Sequence, residues 1–375
     1  MRIAVVTSGR FHVLDLAREL AALGHEVRFY SHVPRSRTDR FGLPRECHRA
    51  LLLWVLPLVA LQRKGPKTWG NRLHALLQVA LDGVVARKLE FCDIFIGMSG
   101  LCVRSAQAAR MKYGAKIFLE RGSRHILSQK EILEAIPGIG RPAVPEFNVS
   151  RELWGYDFAD VISIPSLHAE RSFLERGFPA HKLFRNAYGV DLTTFLPTAK
   201  PQNTAPTLVF AGTWCLRKGC DVLARAVAEQ PWRLIHVGAS GDAPLPKLTN
   251  FESLGFLPQA KLAGVYAEAD VFVHPSREEG LSLVQAQALS CGLPVVCTDR
   301  TGGEDLAAFL PDPSCITVVK PNDVSALRAG IGKALAKVSA RPGLRDILGT
   351  ARPRLSWQAY GKRYDTELRR RMLTE

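Results

Sequence analysis

Along most of this chain, short apolar runs alternate with amphipathic stretches about three helical turns long. Ile3-Ala4-Val5-Val6 leads through a polar turn, Thr7-Ser8-Gly9-Arg10, into residues 13–23. There Leu14, Leu16, Ala17, Leu20 and Ala21 recur at helical spacing. Gly24 stops that helix, and His25-Glu26-Val27-Arg28-Phe29-Tyr30 begins a second strand. The pattern predicts the β-α-β opening of a doubly wound sheet. It continues with strands at 93–98 and 116–119 around a helix at 103–113, then a strand at 160–164 and an extended run at 183–189. Residues 198–206 are polar and proline-bearing, as in a linker, and residues 131–145, rich in Pro and Gly, read as a mobile loop. From Thr207 the alternation restarts, with strands at 207–212, 232–238, 252–257, 271–273 and from 294. Two series of this kind predict an α/β protein with two doubly wound units.

Residues 271–306 carry the densest chemistry. The strand Val271-Phe272-Val273 ends at His274-Pro275-Ser276 and is followed by Glu278, Glu279 and a Gly280-Leu281-Ser282 turn. A helix at 283–289 closes at Gly292. A helix start offers unpaired N–H groups to phosphate, and an adjacent carboxylate accepts from hydroxyls, so the segment suits a polar, phosphate-bearing ligand. A second turn, Gly212-Thr213-Trp214-Cys215-Leu216-Arg217-Lys218-Gly219, puts two cations before a helix, where they oppose the helix dipole. Cations so placed need a reason, and an anionic ligand supplies one.

Glu279-Gly280 followed by Ser290-Cys291-Gly292-Leu293-Pro294-Val295 resembles the donor-sugar signature of the retaining GT-B glycosyltransferases of family 4. Asn186, Gly189, Val190, Asp191, Phe195 and Pro197 resemble that family's crossover between domains. The resemblance implies a GT-B fold: two Rossmann-like domains, 1–200 and 201–355, facing across a cleft, with a helix in 356–375 crossing back onto the first. It implies that Glu279 contacts the transferred sugar and that Arg217 and Lys218, after Gly212, hold the donor diphosphate. The amides of Gly280, Leu281, Ser282 and Leu283 add donors, Gly255 borders the base, and Gly9 approaches the phosphates. The family's second Glu, which grips the ribose, is replaced here by Gln287, whose amide can both donate and accept. Residues 120–125, Glu-Arg-Gly-Ser-Arg-His, lie where the family often has a His-Asp pair. Arg121, Ser123 and His125, with His12, are therefore candidates for the acceptor side; as a lone histidine at a helix start, His12 also suits a structural cap.

The implied reaction is transfer of a hexosyl group, with retention, from a nucleotide sugar to a saccharide or lipid-linked acceptor in cell-surface polysaccharide or glycolipid synthesis. No dedicated base is evident, and the resemblance implies that the leaving phosphate takes the acceptor's proton. With no Asp-x-Asp on the donor loop and a cation pair beside the diphosphate, neither metal nor cofactor is expected.

Composition changes this picture in one place. Hydrophobic residues are 47% and charged residues 23%, as in a soluble globular protein. Met1-Arg2 runs straight into a strand without a signal-like apolar region, and eight cysteines without a Cys-x-x-Cys pair suit a reducing cytoplasm. The net charge of +15 is uneven, with ten basic and two acidic residues in 28–72 alone. That segment holds the apolar run 51–61, with Trp54 and Pro57, flanked by Arg45, Arg49, Arg63, Lys64 and Lys67. Two readings fit: a core helix interrupted at Pro57, slightly favoured, or peripheral contact with an anionic membrane, on the inner face of the cell membrane. No nucleic-acid motif accompanies the charge. A single glycine at the first turn disfavours a redox dinucleotide site. The rival functions are a non-catalytic GT-B protein binding membrane or polyanion, a nucleotide-sugar epimerase, and a phosphorylase of the same fold. The last two lack, respectively, an evident acid-base set and a pyridoxal-binding lysine site.

Overall fold

The computed structural model describes residues 1–66, 69–198 and 205–373. Lys67 and most of the expected linker lie outside them. Two all-parallel sheets form the frame. The first is built from β1 (Arg2–Val6), β2 (Glu26–Ser31), β3 (His48–Ala50), β4 (Ile94–Met98), β5 (Lys116–Glu120), β6 (Val161–Ile164) and β7 (Leu183–Arg185). Its order is β3-β2-β1-β4-β5-β6-β7. The second holds β8 (Thr207–Ala211), β9 (Arg233–Val237), β10 (Phe251–Ser253), β11 (Val271–His274), β12 (Val295–Thr298) and β13 (Ile316–Val319). It repeats the same winding, β10-β9-β8-β11-β12-β13.

In each sheet the strand order reverses once, between β1 and β4 and between β8 and β11. Backbone loops diverge at such a reversal and leave a crevice past the carboxyl ends of the strands. Here the two crevices face one another. The strands are apolar and buried with little alternation, because helices cover both faces. One core layer is shared: Val5, Leu14, Ile96 and Phe118 of the first half cluster with Phe272, Leu289 and Val295 of the second.

Helix Trp357–Leu373 turns its stripe of Trp357, Tyr360, Tyr364 and Leu368 inward. It packs on helix His12–Ala22, where Gly361 sits over Glu19, and Val190 N–H donates to the Leu355 carbonyl at 2.8 Å.

Two expectations need correction. The run 51–61 is not a core helix interrupted at Pro57. Helix Leu52–Lys64 continues through Pro57, and Val55 is its only buried residue. The expected loop 131–145 begins inside helix Ile126–Glu134, and its Ile136 and Val144 are buried. Apolar side chains pin this Pro- and Gly-bearing segment.

Candidate active site in the cleft

Between the facing crevices lies a cavity of about 820 Å³. Its second-sheet wall is formed by Ala211, Gly212, Lys218, Glu279, Leu281, Ser282, Leu283, Val284 and Gln287. Two turns make that wall. The first, after β8, closes with Gly219 at φ +69°, where an added Cβ would stand 2.1 Å from the Pro275 carbonyl. Only glycine permits both the left-handed turn and that approach. The second, after β11, is clamped to the first by Arg277, which binds both oxygens of Asp221 at 2.6 and 2.8 Å. The Arg277 backbone N–H also donates to the Arg217 carbonyl at 2.9 Å.

The clamp sets two cations against two carboxylates. Arg217 Nε lies 2.9 Å from Glu278 Oε2 and Lys218 contacts Glu279 Oε1. Burial opposes ionisation of Glu279, but Lys218 and then Arg217 outweigh it and hold the carboxyl at about 2. Arg217 is pushed up from its ordinary value: burial works the other way, and Glu278 and Glu279 prevail. His274, at the end of β11, is fully buried and stacks between Phe210 and Phe272 with neither ring nitrogen partnered. Burial and then Lys218 drive it to about 3, so it stays neutral.

The opposite wall contains Arg10, Phe11, His12, Met98 and 121–123. His12 opens its helix, and its Nε2 lies 2.7 Å from Glu120 Oε2 at the end of β5. Tyr364 Oη donates to the other Glu120 oxygen at 2.6 Å. The carboxylate therefore accepts from Nε2–H and fixes the orientation of the ring. The His12 ring stacks 4.3 Å from Tyr188.

The walls touch through Glu278. It is fully buried and accepts from Ser123 Oγ and from Gln129 Nε2, the latter at 3.2 Å, both on the first half. Beside it, a Cβ on Gly280 would meet the Gly122 carbonyl at 2.0 Å. Ser166 Oγ donates to the Gly280 carbonyl at 2.7 Å, and Asp305 caps Leu167 N–H at 2.9 Å. Among the described residues, no group of three or more His, Cys, Asp or Glu could hold a metal ion.

Residues 205–337, which contain the whole second-sheet wall, match the family described as glycosyl transferases group 1. By this segment, about a third of its length, the chain is similar to the group 1 glycosyltransferases. It is 30% identical over 174 residues to a GDP-mannose-dependent alpha-mannosyltransferase of Mycolicibacterium smegmatis, covering 42% of this chain and 46% of that protein. The chain spans less than half the length of the first curated relatives it matches. A longer match, 26% identical over 380 residues, is to a phosphatidylinositol N-acetylglucosaminyltransferase subunit from Arabidopsis thaliana; it covers 96% of this chain and 78% of that one. Among solved structures, a sucrose-phosphate synthase from Thermosynechococcus elongatus superimposes with TM-score 0.68 at 18% identity over the full length of both chains. The fold is GT-B.

Of the residues singled out from the sequence, the structure gathers Gly212, Lys218, Glu279, Leu281, Ser282, Leu283 and Gln287 on one wall and His12, Arg121 and Ser123 on the other. Arg217 sits just behind, against Glu278. Four residues fall elsewhere. His125 does not line the cavity: it caps helix Ile126–Glu134 by accepting from Leu127 N–H, and its ring packs on Tyr156 and Phe173. Burial and then Arg176 lower it to about 4. Gly255 is outside the cavity wall, its carbonyl accepting from Gly238 N–H at 2.8 Å. Gly9 is held by Thr7 Oγ1 beside the wall, which begins at Arg10, and Gly280 serves the contact with Gly122.

Arg121 lines the cavity, but its guanidinium is engaged by Glu152, Gln129 and the Arg124 carbonyl. It braces the wall. Sequence reasoning left out Glu120, Tyr364 and the bridging role of Glu278. The acidic doublet was visible, but its partners lie 155 and 149 residues away.

Proposed function

We propose that the protein transfers a hexosyl group from a nucleoside-diphosphate sugar to a hydroxyl of a saccharide or lipid-linked acceptor, with retention, in cell-surface polysaccharide or glycolipid synthesis. The observation that carries this is the opposition of Arg217 and Lys218 to Glu278 and Glu279 on a cleft wall of the matched family segment. A diphosphate leaving group gains charge as the glycosidic bond breaks, and fixed cations in a water-poor cleft stabilise that gain. Lys218 and Arg217 supply it, together with the first amides of helix Leu283–Ser290.

Glu279, ionised and freed in part when Lys218 turns to phosphate, accepts from the sugar hydroxyls. Gln287 is buried with its Oε1 unpartnered and takes a ribose hydroxyl. On the facing wall, His12 helps to seat the acceptor, whose hydroxyl donates its one hydrogen to the departing phosphate as the new glycosidic bond forms. The two cations perform the charge neutralisation that a metal ion would otherwise supply.

A thermal-shift panel of nucleoside diphosphates and nucleotide sugars, with EDTA or Mg²⁺, tests the reading on wild type and Lys218→Ala. At roughly a hundred times its dissociation constant, a ligand stabilises by about 2.7 kcal/mol. One nucleotide family should shift the melt regardless of metal, and the variant should lose the shift. Absence of any shift at saturating nucleotide would refute donor binding.

A further inference from the structure

Helix Leu52–Lys64 presents its large apolar side chains outward. Leu53 is 82% exposed and Trp54 60%, and Leu56 and Leu61 are exposed as well. Leu58 and Val59 turn partly toward the core. Helix Gly70–Lys88 packs alongside and adds exposed Trp69, just before it, and Leu76. A helix that served only to cover β3 would bury its leucines and display its polar residues.

The charges around this face are mostly of one sign: Glu46 and Glu90 share a pocket with Trp54 and Lys88, but Arg35, Arg45 and Arg49 line it too, and Glu90 is paired with Arg28 and Arg49. No acidic residue occurs between Glu46 and Asp82. Arg63, Lys64 and Arg72 are exposed, and among the described residues none of the three has an acidic partner. The Lys88 ammonium sits 4.1 Å over the Trp54 ring, which places a cation beside the apolar patch. Thirteen residues of helix span about 20 Å, too short to cross a bilayer, and no helix among the described residues is long and apolar enough to do so.

We propose that the protein docks on an anionic lipid bilayer through this helix pair, with Leu53, Trp54, Leu56 and Leu61 entering the headgroup boundary. Arg63, Lys64, Arg72 and Lys88 then meet lipid phosphates. Charge complementarity selects this occupant. A second copy of the same face would set cations against cations, and a neutral apolar partner would leave them unmatched. Apolar side chains ringed by cations satisfy both halves of an anionic membrane surface. The docking requires no sugar transfer, so it stands or falls separately from the proposed reaction.

Flotation with vesicles tests it, using phosphatidylcholine alone and phosphatidylcholine mixed with phosphatidylglycerol, at low and high salt. Wild type should float with the mixed vesicles at low salt, stay behind with phosphatidylcholine alone, and be released by salt. Arg63→Gln/Lys64→Gln/Arg72→Gln should lower partitioning roughly a hundredfold, at about fivefold per cation. Leu53→Ser/Trp54→Ser should also abolish flotation. All five positions are exposed, so the melting temperature and any nucleotide-induced shift should match wild type in both variants, which separates lost docking from misfolding. Failure of wild type to float with mixed vesicles at low salt would overturn the proposal. So would equal partitioning onto both vesicle types, or a wild-type dimer in solution that Trp54→Ser dissociates.

Discussion

Replacing Lys218 by methionine removes the cation that contacts Glu279 while keeping most of the side chain's volume. Glu279 and Lys218 are 12% and 18% exposed, so solvent screens their attraction little. Holding the carboxyl at about 2 instead of the ordinary 4.5 corresponds to about 3 kcal/mol of folded-state stability, at about 1.4 kcal/mol per pH unit. Lys218 is the larger of the two favourable influences and Arg217 the smaller. The substitution should therefore cost about 2 kcal/mol at neutral pH. A carboxyl depressed by folding contributes fully above its unfolded value, and the contribution fades as pH falls from 4.5 toward 2. The gap between wild type and Lys218→Met should thus narrow to about 1 kcal/mol at pH about 3. Urea denaturation at a series of pH values measures it, with Glu279→Gln and the double variant completing a cycle. A gap that stays constant from pH 7 to pH 3, or is absent at pH 7, would refute the assignment of this pair.

Gly280→Ala forces a Cβ to within 2.0 Å of the Gly122 carbonyl; small-angle scattering should show a more open molecule, with turnover falling well beyond any change in nucleotide affinity. Tyr364→Phe leaves one Glu120 oxygen without its donor and should destabilise by about 1–3 kcal/mol in urea, with a KM rise for the acceptor and not for the donor. Gln287→Glu offers a charged acceptor where an unpartnered amide oxygen now stands. Calorimetry should find several-fold tighter binding of a ribonucleotide, with less gain for its 2′-deoxy counterpart.

The frame was legible because strands buried on both faces give uninterrupted apolar runs, and glycines such as Gly24, Gly114 and Gly292 mark where some of the helices stop. The second-sheet wall was legible for a related reason: its chemistry lies in two short turns, at 212–219 and 278–287, each continuous in sequence. The first-sheet wall was legible only in part, through His12, Arg121 and Ser123. His12, Glu120 and Tyr364 come from three distant segments, and Tyr364 looks in the sequence like one more aromatic on an amphipathic helix. In the sequence, a histidine past a strand end such as His125 suits both a binding role and a helix cap; its place in the structure, capping a helix and packed on Tyr156 and Phe173, is visible only in three dimensions. The 51–61 run misled because apolar periodicity reports what a helix could bury and is silent on whether anything stands there to cover it.

Helix Trp357–Leu373 reaches back to close positions opened very early in the chain. Tyr364 reaches Glu120 across 244 residues and Asp365 reaches His25 across 340. During synthesis the first sheet must therefore wait, with a buried carboxylate and the surface of helix His12–Ala22 uncovered, while the entire second sheet is made. The half that emerges first is completed last. Chains halted after the second sheet would carry an intact second-sheet wall beside an unfinished neighbour, and nascent chains of this protein should depend on chaperones until the ribosome has released Leu368.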